Sequence, residues 1–134
     1  MENREVLLEQ VRRVFKARDA GLLGDLMAEC HPDVVFTLAG DRGANEMAGC
    51  MSGHAEVKQA AAKLIDTFQF VQRDILTELV DQDRVAVRSR VTVRSCPTNM
   101  TRETEILDLF RIQDGKIVEL IEFADTALIK TMVS

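Results

Sequence analysis

The run ILDLFRIQDGKIVELIEFAD, residues 106–125, decides the fold that this sequence predicts. Apolar and β-branched residues dominate both sides of Asp114-Gly115, and such runs are typical of strands. An aspartate followed by a glycine between two strands is a signal for a tight hairpin turn. The sequence therefore predicts two antiparallel strands, over 101–112 and 116–123.

The shape of this turn decides which side chains share a face of the sheet. Glycine adopts a left-handed conformation without a Cβ clash, so we interpret 112–116 as a three-residue loop with a bulge after it. In that register Asp108 lies opposite Leu120, and Glu122 shares their face because strands have a period of two residues. A two-residue turn would instead put the two carboxyl groups on opposite faces. The residues predicted to share the face are Ile106, Asp108, Phe110, Val118, Leu120 and Glu122.

Further strands are predicted over 71–79 and 85–93, so that the second half of the chain forms a meander. Strands of about ten residues are longer than usual and favour a strongly twisted, curling sheet. A short helix is expected after Asp125, which is placed to cap it.

The first half of the chain is mostly helical by its spacing of apolar residues. A first helix is predicted through the apolar residues of 7–15, with its end at Asp19-Ala20-Gly21, and further helices over 22–27 and 54–68. A strand is predicted over 34–38, with no regular structure in the glycine-rich segment 40–53. We expect one α+β domain over residues 1–134, in which a cone-shaped, curved antiparallel sheet wraps around the N-terminal helices.

Composition excludes several classes of function. The chain has 17 basic and 22 acidic residues, a net charge of -5, and the basic residues are scattered, so nucleic acid is not an expected partner. No apolar run approaches the roughly 18 residues that span a bilayer, so we expect no membrane association and a cytoplasmic location.

The cysteines and glycines do not indicate a cofactor. Cys30, Cys50 and Cys96 lie far apart and outside the spacing of a zinc site, so we interpret them as reduced thiols. No two-histidine-one-carboxylate set or phosphate-binding glycine motif is present. We predict that the protein uses no metal and no cofactor.

Two segments, residues 31–38 (HPDVVFTL) and 106–125, carry a family resemblance. They resemble the SnoaL-like branch of the nuclear transport factor 2-like superfamily, which also contains ketosteroid isomerases, polyketide cyclases and limonene epoxide hydrolase. The resemblance implies a cystatin-like half-barrel, a ligand pocket inside the cone and a homodimer. It implies a fold more strongly than a reaction.

The resemblance to ketosteroid isomerases does not extend to their main catalytic groups. Leu38 stands where those enzymes carry the aspartate base, and Val14 stands near their first-helix tyrosine. Asp108 matches the second donor of their oxyanion hole. Steroid isomerisation of that type is therefore not expected.

The other two comparisons within the superfamily point to the last strands. Arg90 matches the pocket arginine of limonene epoxide hydrolase, and Glu122 stands where one of its catalytic aspartates would be, but Thr92 replaces the other. Glu122 is also the nearest equivalent of the aspartate that polyketide cyclases carry near the last strand.

From these residues we predict a site inside the cone. Asp108 and Glu122 are expected to act as acid and base on a small apolar ligand, with Arg90 beside them, because a buried pair of acids can differ in protonation near neutral pH. The predicted reaction is an isomerisation, a cyclisation or a hydration. The predicted ligand-binding residues are Phe36, Leu38, Phe68, Thr92, Phe110 and Leu120.

A non-catalytic interpretation stands beside the enzyme. Arg88, Arg90, Asp108 and Glu122 would in that case form ion pairs on the outer face of the sheet, and the chain would be a ligand-binding or dimerisation domain. Both interpretations predict a homodimer, because the second face of the sheet is apolar. The residues expected on that second face are Leu107, Leu109, Ile117, Ile121 and Phe123.

Overall fold

The computed structural model describes residues 3–134 of the chain. Its helices are α1 Arg4–Ala20, α2 Leu23–Ala28, α3 His54–Thr67 and α4 Thr126–Met132. Its strands are β1 Cys30–Leu38, β2 Gly49–Ser52, β3 Phe68–Asp81, β4 Arg84–Ser95, β5 Thr101–Gln113 and β6 Lys116–Phe123.

The six strands form one open sheet in the order β2-β1-β6-β5-β4-β3. Neighbouring strands are antiparallel except for β1 and β6, which run parallel. Helices and a long sheet together confirm the predicted α+β class. The second half of the chain forms the predicted meander, since β3, β4, β5 and β6 are neighbours in that order and antiparallel. The parallel pair was not predicted, because β1 belongs to the first half of the chain and joins the sheet beside the last strand.

Helix α1 has well-defined ends. The side chain of Asn3 accepts a hydrogen bond of 2.9 Å from the backbone N–H of Val6, and Gly21 ends the helix in a left-handed conformation with φ 72°. The N–H of Leu22 bonds back to the carbonyl of Ala17 at 2.8 Å, so the last carbonyls of α1 are satisfied. This end fixes the position of the last turn, which enters the site described below.

The inner face of the sheet packs on α1 and α3. The buried residues of α1 recur at helical spacing and contact the middle of the sheet. The buried cluster includes Leu7, Leu8, Val11, Val14, Phe15, Val85, Val87, Phe110 and Ile112. A second cluster forms where α4 packs on the end of the sheet, around Phe68, Val91, Val93, Ile106 and Met132.

The segment 40–53 is not wholly irregular as predicted. Its last residues form β2, a short edge strand that pairs with β1 from Val35↔Ser52 to Leu38↔Gly49. An edge strand needs only one neighbour, and Gly49 takes a φ of 130° that other residues rarely adopt. The glycine therefore assists the pairing instead of preventing it.

The turn and the register of the C-terminal hairpin differ from those predicted. Asp114 and Gly115 both have positive φ, at 52° and 74°, and they form a two-residue turn, so the predicted three-residue loop is wrong. A bulge at Val118 then shifts the register by one residue. Asp108 consequently lies opposite Glu122, not opposite Leu120, and both carboxyl groups still face inward.

The same bulge moves two neighbouring side chains from their predicted faces. Ile117 pairs with Ile112 and is buried in the core, although the sequence predicted it on the outer face. Val118 is the extra residue of the bulge and does not continue the inward face as predicted. Both errors have one cause, because the residue inserted by a bulge reverses the alternation of side chains.

Candidate active site

Two carboxyl groups meet inside the sheet, one from each strand of the C-terminal hairpin. Asp108 in β5 and Glu122 in β6 are direct partners across the two strands. Asp108 is 3% exposed, Glu122 is half-buried, and each carboxyl group affects the pKa of the other. Because Asp108 and Glu122 face each other across two paired strands, ionisation of one carboxyl group disfavours ionisation of the other.

The surroundings of the pair separate the two acids. Burial raises the pKa of Asp108 well above its usual range, and the charge of Glu122 raises it further. Burial also raises the pKa of Glu122, but Arg18, the hydrogen bond from Asp108 and Arg73 all lower it. These effects favour the proton on Asp108 over Glu122.

The first of two arginines in the site, Arg18, lies in the last turn of α1. Its Nη2 donates hydrogen bonds to the carbonyls of Leu64, at 3.3 Å, and Phe68, at 3.0 Å. Its guanidinium carbon lies 4.1 Å from the centre of the Phe70 ring. Burial lowers the pKa of Arg18, and the charge of Glu122 opposes that effect.

The second arginine of the site, Arg73, is held rigidly from β3. Its Nε and Nη2 form a two-point ion pair with Asp19, at 2.8 and 3.0 Å, and its Nη1 donates to the hydroxyl of Ser89 at 3.2 Å. The guanidinium carbon lies 4.1 Å from the centre of the Phe15 ring and 5.1 Å from that of Phe70. Only 7% of this side chain is exposed, so the ion pair is well shielded from solvent.

These four polar residues line one side of a cavity of about 80 Å³, which we call the acid cavity. Its other walls are almost wholly apolar. They include Val14, Phe15, Phe36, Leu64, Phe70, Phe110 and Leu120. The thiol of Cys30 also lines it, but burial raises the pKa of Cys30 to about 11, so this thiol is a poor nucleophile.

A second cavity of about 40 Å³ lies under α4, and we call it the tail cavity. Five residues line both cavities and separate them: Arg18, Leu64, Phe70, Ile106 and Glu122. Asp108 reaches only the acid cavity. The remaining walls of the tail cavity are mostly apolar and include Leu38, Phe68, Val93, Leu128, Ile129 and Met132.

The predicted ligand-binding residues divide between these two cavities. Phe36, Phe110 and Leu120 line the acid cavity, whereas Leu38 and Phe68 line the tail cavity. The sequence thus identified five wall residues, but as parts of one pocket, because the partition by Arg18 and Phe70 depends on packing between elements.

The prediction that Arg90 lies beside the acids is wrong. In β4 the side chains of Val91 and Val93 point inward, so Arg90 and Thr92 lie on the outer face. Arg90 pairs there with Glu103, at 3.8 Å, and with Glu105, at 3.5 Å. Thr92, which pairs across the strands with Glu103, is likewise remote from both cavities.

The outer-face ion pairs of the non-catalytic interpretation exist, but with other partners. Arg88 and Arg90 both pair with Glu105, and neither reaches the two inward acids. The pairs are also largely exposed to solvent and are worth little to stability.

The sequence did not predict Arg18 or Arg73 as residues of the site, and only Arg18 lies in a sequence pattern that could have identified it. Arg18 continues the helical spacing of Leu7, Val11 and Val14, so a charged residue stands on the apolar face of α1. Arg73 follows a bulge between Phe70 and Gln72, and the alternation of β3 counted from Phe70 would place it on the outer face.

An open six-stranded sheet packs on helices, and two acids face inward from it. These features place the chain in a class of small cone-shaped α+β domains. The family model described as SnoaL-like domain matches residues 11–120, and the chain belongs to this family. Asp108 lies inside the matched region and Glu122 lies just beyond it. The family resemblance predicted from the sequence is therefore confirmed.

Solved structures agree on the fold at low sequence identity. A protein from Bacillus subtilis provisionally assigned as an isomerase has a TM-score of 0.88 at 14% identity, covering 100% of this chain and 98% of that one. A provisionally assigned polyketide cyclase from Xanthomonas campestris pv. campestris has a TM-score of 0.81 at 18% identity, covering 99% and 100%.

A third structure is an NTF2-like protein of unknown function from Burkholderia pseudomallei K96243. It has a TM-score of 0.82 at 18% identity and covers 96% of this chain and 98% of that one. At such identities the likeness establishes the fold alone. A search of curated proteins found no match.

The structure also bears on metal binding and on membrane insertion. Across residues 3–134, no three His, Cys, Asp or Glu side chains come together in a way that could hold a metal ion. Within the same range, no helix has the length and apolar character required to cross a bilayer. The absence of a cofactor stays a prediction from the sequence.

Proposed function

We propose that this SnoaL-like protein is a cofactor-independent enzyme of the isomerase, cyclase or hydratase type that moves a proton within a small, largely apolar substrate. The observation that carries the proposal is the pair formed by buried Asp108 and half-buried Glu122, which face each other across two strands and line one cavity. The pKa values of both are raised, and their surroundings favour the proton on Asp108. A buried acid next to a buried base is the arrangement that general acid–base catalysis requires.

Each acid has a distinct role in this proposal. Glu122 lines both cavities and acts as the base that removes a proton from the substrate. Asp108 holds a proton and donates a hydrogen bond to the substrate oxygen on which charge develops. The proton that Glu122 takes up is returned to another atom of the substrate, so the protein ends each cycle in its starting state.

The size of the acid cavity limits the substrate. Since roughly 10–15 Å³ holds one water-sized group, its volume of about 80 Å³ admits a compact ligand with a few such groups. A larger ligand must extend into the tail cavity past Arg18 and Phe70. We infer a substrate with a short polar end beside the acids and an apolar remainder.

The deciding experiment is an NMR titration of the carboxyl carbons, with Asp108→Asn and Glu122→Gln used to assign the two signals. We expect at least one of the pair to titrate well above the ordinary value of about 4. Replacing either partner should shift the titration of the other, because each carboxyl group affects the pKa of the other. If both titrate independently at ordinary values, the proposed acid–base pair does not exist.

An exchange assay tests catalysis without knowledge of the natural substrate. Small apolar ketones such as cyclohexanone are incubated with the protein in heavy water, and loss of the α-proton signal is followed by NMR. We expect faster exchange with the wild-type protein and about a 100-fold loss in Glu122→Gln, since general bases contribute about 10²–10⁴-fold. Glu119→Gln is the matched control, because Glu119 lies on the same strand but pairs across the strands with Arg111, beyond the acid cavity.

A homodimer is the second part of the proposal, and it would also serve a non-catalytic binding domain. The register places an apolar patch on the outer face of the sheet, where Leu107 is 41% and Phe123 is 47% exposed. We define the outer patch as Leu79, Ala86, Leu107, Leu109, Ile121 and Phe123. We propose that a second copy of the chain covers it, because charges of both signs flank it and would be complementary across a two-fold axis. Sedimentation that shows only monomer at micromolar concentration contradicts this.

The cytoplasmic location predicted from the sequence is kept as part of the proposal. Fractionation of cells that express the full protein would test it, and recovery in the membrane fraction would contradict it.

A further inference from the structure

Arg18 is a half-buried cation whose hydrogen bonds to the protein use only part of its guanidinium group. Its Nη2 is anchored to the carbonyls of Leu64 and Phe68. Within residues 3–134, no protein acceptor is hydrogen-bonded to its Nε or Nη1. The side chain lines both the acid cavity and the tail cavity, so it lies where a ligand would be bound.

Arg73 shows what a structural arginine in this site looks like. Asp19 neutralises it through two hydrogen bonds, and Ser89 occupies a third position on its guanidinium. Arg18 has no such carboxylate partner among its hydrogen bonds; the charge that acts on it most strongly is that of Glu122. The guanidinium groups of Arg18 and Arg73 both contact the ring of Phe70, but only Arg73 forms an ion pair within the protein.

Charge balance around Arg18 changes during the proposed reaction. The charged side chains around the acid cavity are Arg18 and Asp19 from α1, Arg73 from β3, Asp108 from β5 and Glu122 from β6, with the neutral thiol of Cys30 on β1. When Glu122 takes a proton from carbon, it becomes neutral and can no longer balance Arg18. The electron pair of the broken C–H bond then resides on the substrate as an enolate, whose negative oxygen can replace the carboxylate beside Arg18.

Resting on the proton transfer proposed above, we propose that Arg18 binds the enolate oxygen of the substrate, and that the substrate is therefore a small apolar carbonyl compound with an acidic α-hydrogen. Asp108 donates a hydrogen bond to the same oxygen. The cation stays in place while negative charge passes from Glu122 to the substrate, so a full charge never lacks a partner in this apolar site. Reprotonation of the substrate returns the negative charge to Glu122.

A matched pair of small molecules tests this assignment without turnover. Phenylacetate carries a negative oxygen pair like the enolate, whereas phenylacetamide has nearly the same shape and is neutral. We expect titration calorimetry at mildly acidic pH, where the acid pair is protonated, to show that the wild-type protein prefers phenylacetate. Phenylacetate binding should also weaken by about tenfold per pH unit once Glu122 ionises, because the ligand then binds together with about one proton.

Two variants locate the effect at Arg18. Arg18→Gln keeps a side-chain donor but removes the charge, and Arg18→Met removes both. Because a charge-assisted hydrogen bond is strong, we expect Arg18→Gln to weaken phenylacetate binding by about 10-fold or more and phenylacetamide binding by less than about 2-fold. Arg13→Gln is the control, since Arg13 lies on the same helix but is exposed and pairs with Glu29.

The outcomes separate this inference from the proposed function. Equal losses for both ligands, an unchanged affinity for phenylacetate in Arg18→Gln, or no binding of phenylacetate to the wild-type protein would each overturn the role of Arg18. The carboxyl titration described above does not depend on Arg18 binding a ligand. A raised and coupled titration with no effect of Arg18 on binding would retain the acid pair and reject only its oxyanion partner.

Discussion

Asp108 gains its chemical character from its position more than from its identity. An aspartate on a solvated strand is ionised at neutral pH, but this one is buried beside Glu122 and keeps its proton. The sequence predicted that the two residues share a face, but through a three-residue loop that the structure does not have; a two-residue turn followed by the bulge at Val118 produces the same facing. The sequence could predict Arg18 only as a charged residue on an apolar helical face, and it could not predict Arg73 because a bulge in β3 reverses the alternation.

Protonation of Asp108 has a consequence for stability that can be measured. Because burial raises the pKa of Asp108 in the folded chain, folding takes up a proton, and this contribution is fully present below the unfolded pKa of about 3.9. As the pH rises from there through the folded pKa, the contribution falls by about 1.4 kcal/mol per pH unit until it is lost. Asp108→Asn keeps a hydrogen-bond donor and cannot ionise, so it does not suffer this loss.

We therefore expect the melting temperature of Asp108→Asn to rise relative to that of the wild-type protein as the pH increases from the unfolded pKa of about 3.9 through the raised pKa of Asp108 in the folded chain. Thermal unfolding followed by circular dichroism at several pH values measures the difference. Contributions from carboxyl groups that do not interact with Asp108 cancel in this comparison, whereas that of Glu122 does not, because each of the two residues affects the pKa of the other. A difference that stays constant over the whole range would mean that Asp108 ionises alike in the folded and unfolded chains.

At the scale of elements, the end of α1 positions much of the site. Gly21 stops the helix with a left-handed φ of 72°, and the preceding turn carries both Arg18 and Asp19. The sequence predicted this helix end from Asp19-Ala20-Gly21. It did not predict what the last turn contacts, because the contacts with Phe70 and Arg73 come from a strand more than fifty residues away.

Two glycines close in sequence give a matched test of this helix end. We expect Gly21→Ala to lower the free energy of unfolding by about 1 kcal/mol, since other residues are strained in the left-handed conformation. Gly24→Ala should instead raise it by about 0.5–1 kcal/mol, because Gly24 lies inside α2 and an added Cβ meets nothing within 4 Å. Urea unfolding of both variants measures the difference, and shifts of the same sign would contradict this account.

At the scale of the whole molecule, the α+β class and the order of elements other than β2 followed from the sequence because they depend on local patterns. The alternating strands, the capped helices and the Asp114-Gly115 turn each signal their own position. The two cavities did not follow, since their size and partition depend on how α1, α3 and α4 approach the sheet. The parallel pairing of β1 with β6 is likewise a relation between distant segments.

The outer patch gives a prediction at the same scale. We expect Leu107→Glu to shift the protein from dimer to monomer in analytical ultracentrifugation, because a charge at the centre of an apolar interface is costly to bury. Val6→Glu is the control, since Val6 is 50% exposed, similar to Leu107 at 41%, but lies on α1 and away from the outer patch. Dimers that persist in Leu107→Glu and dissociate in Val6→Glu would place the interface on the helical side.

Because of the bulge at Val118, the position of Glu122 opposite Asp108 depends on one inserted residue and therefore on a single codon. With the two-residue turn in place, a hairpin that lacked this one residue would keep its length almost unchanged but turn Glu122 to the outside of the sheet. Descendants of one ancestral gene could thus gain or lose the buried pair through one in-frame insertion or deletion, while the cone itself survived. In such a lineage, the number of residues between the turn and the last strand's glutamate would be a better guide to function than overall similarity.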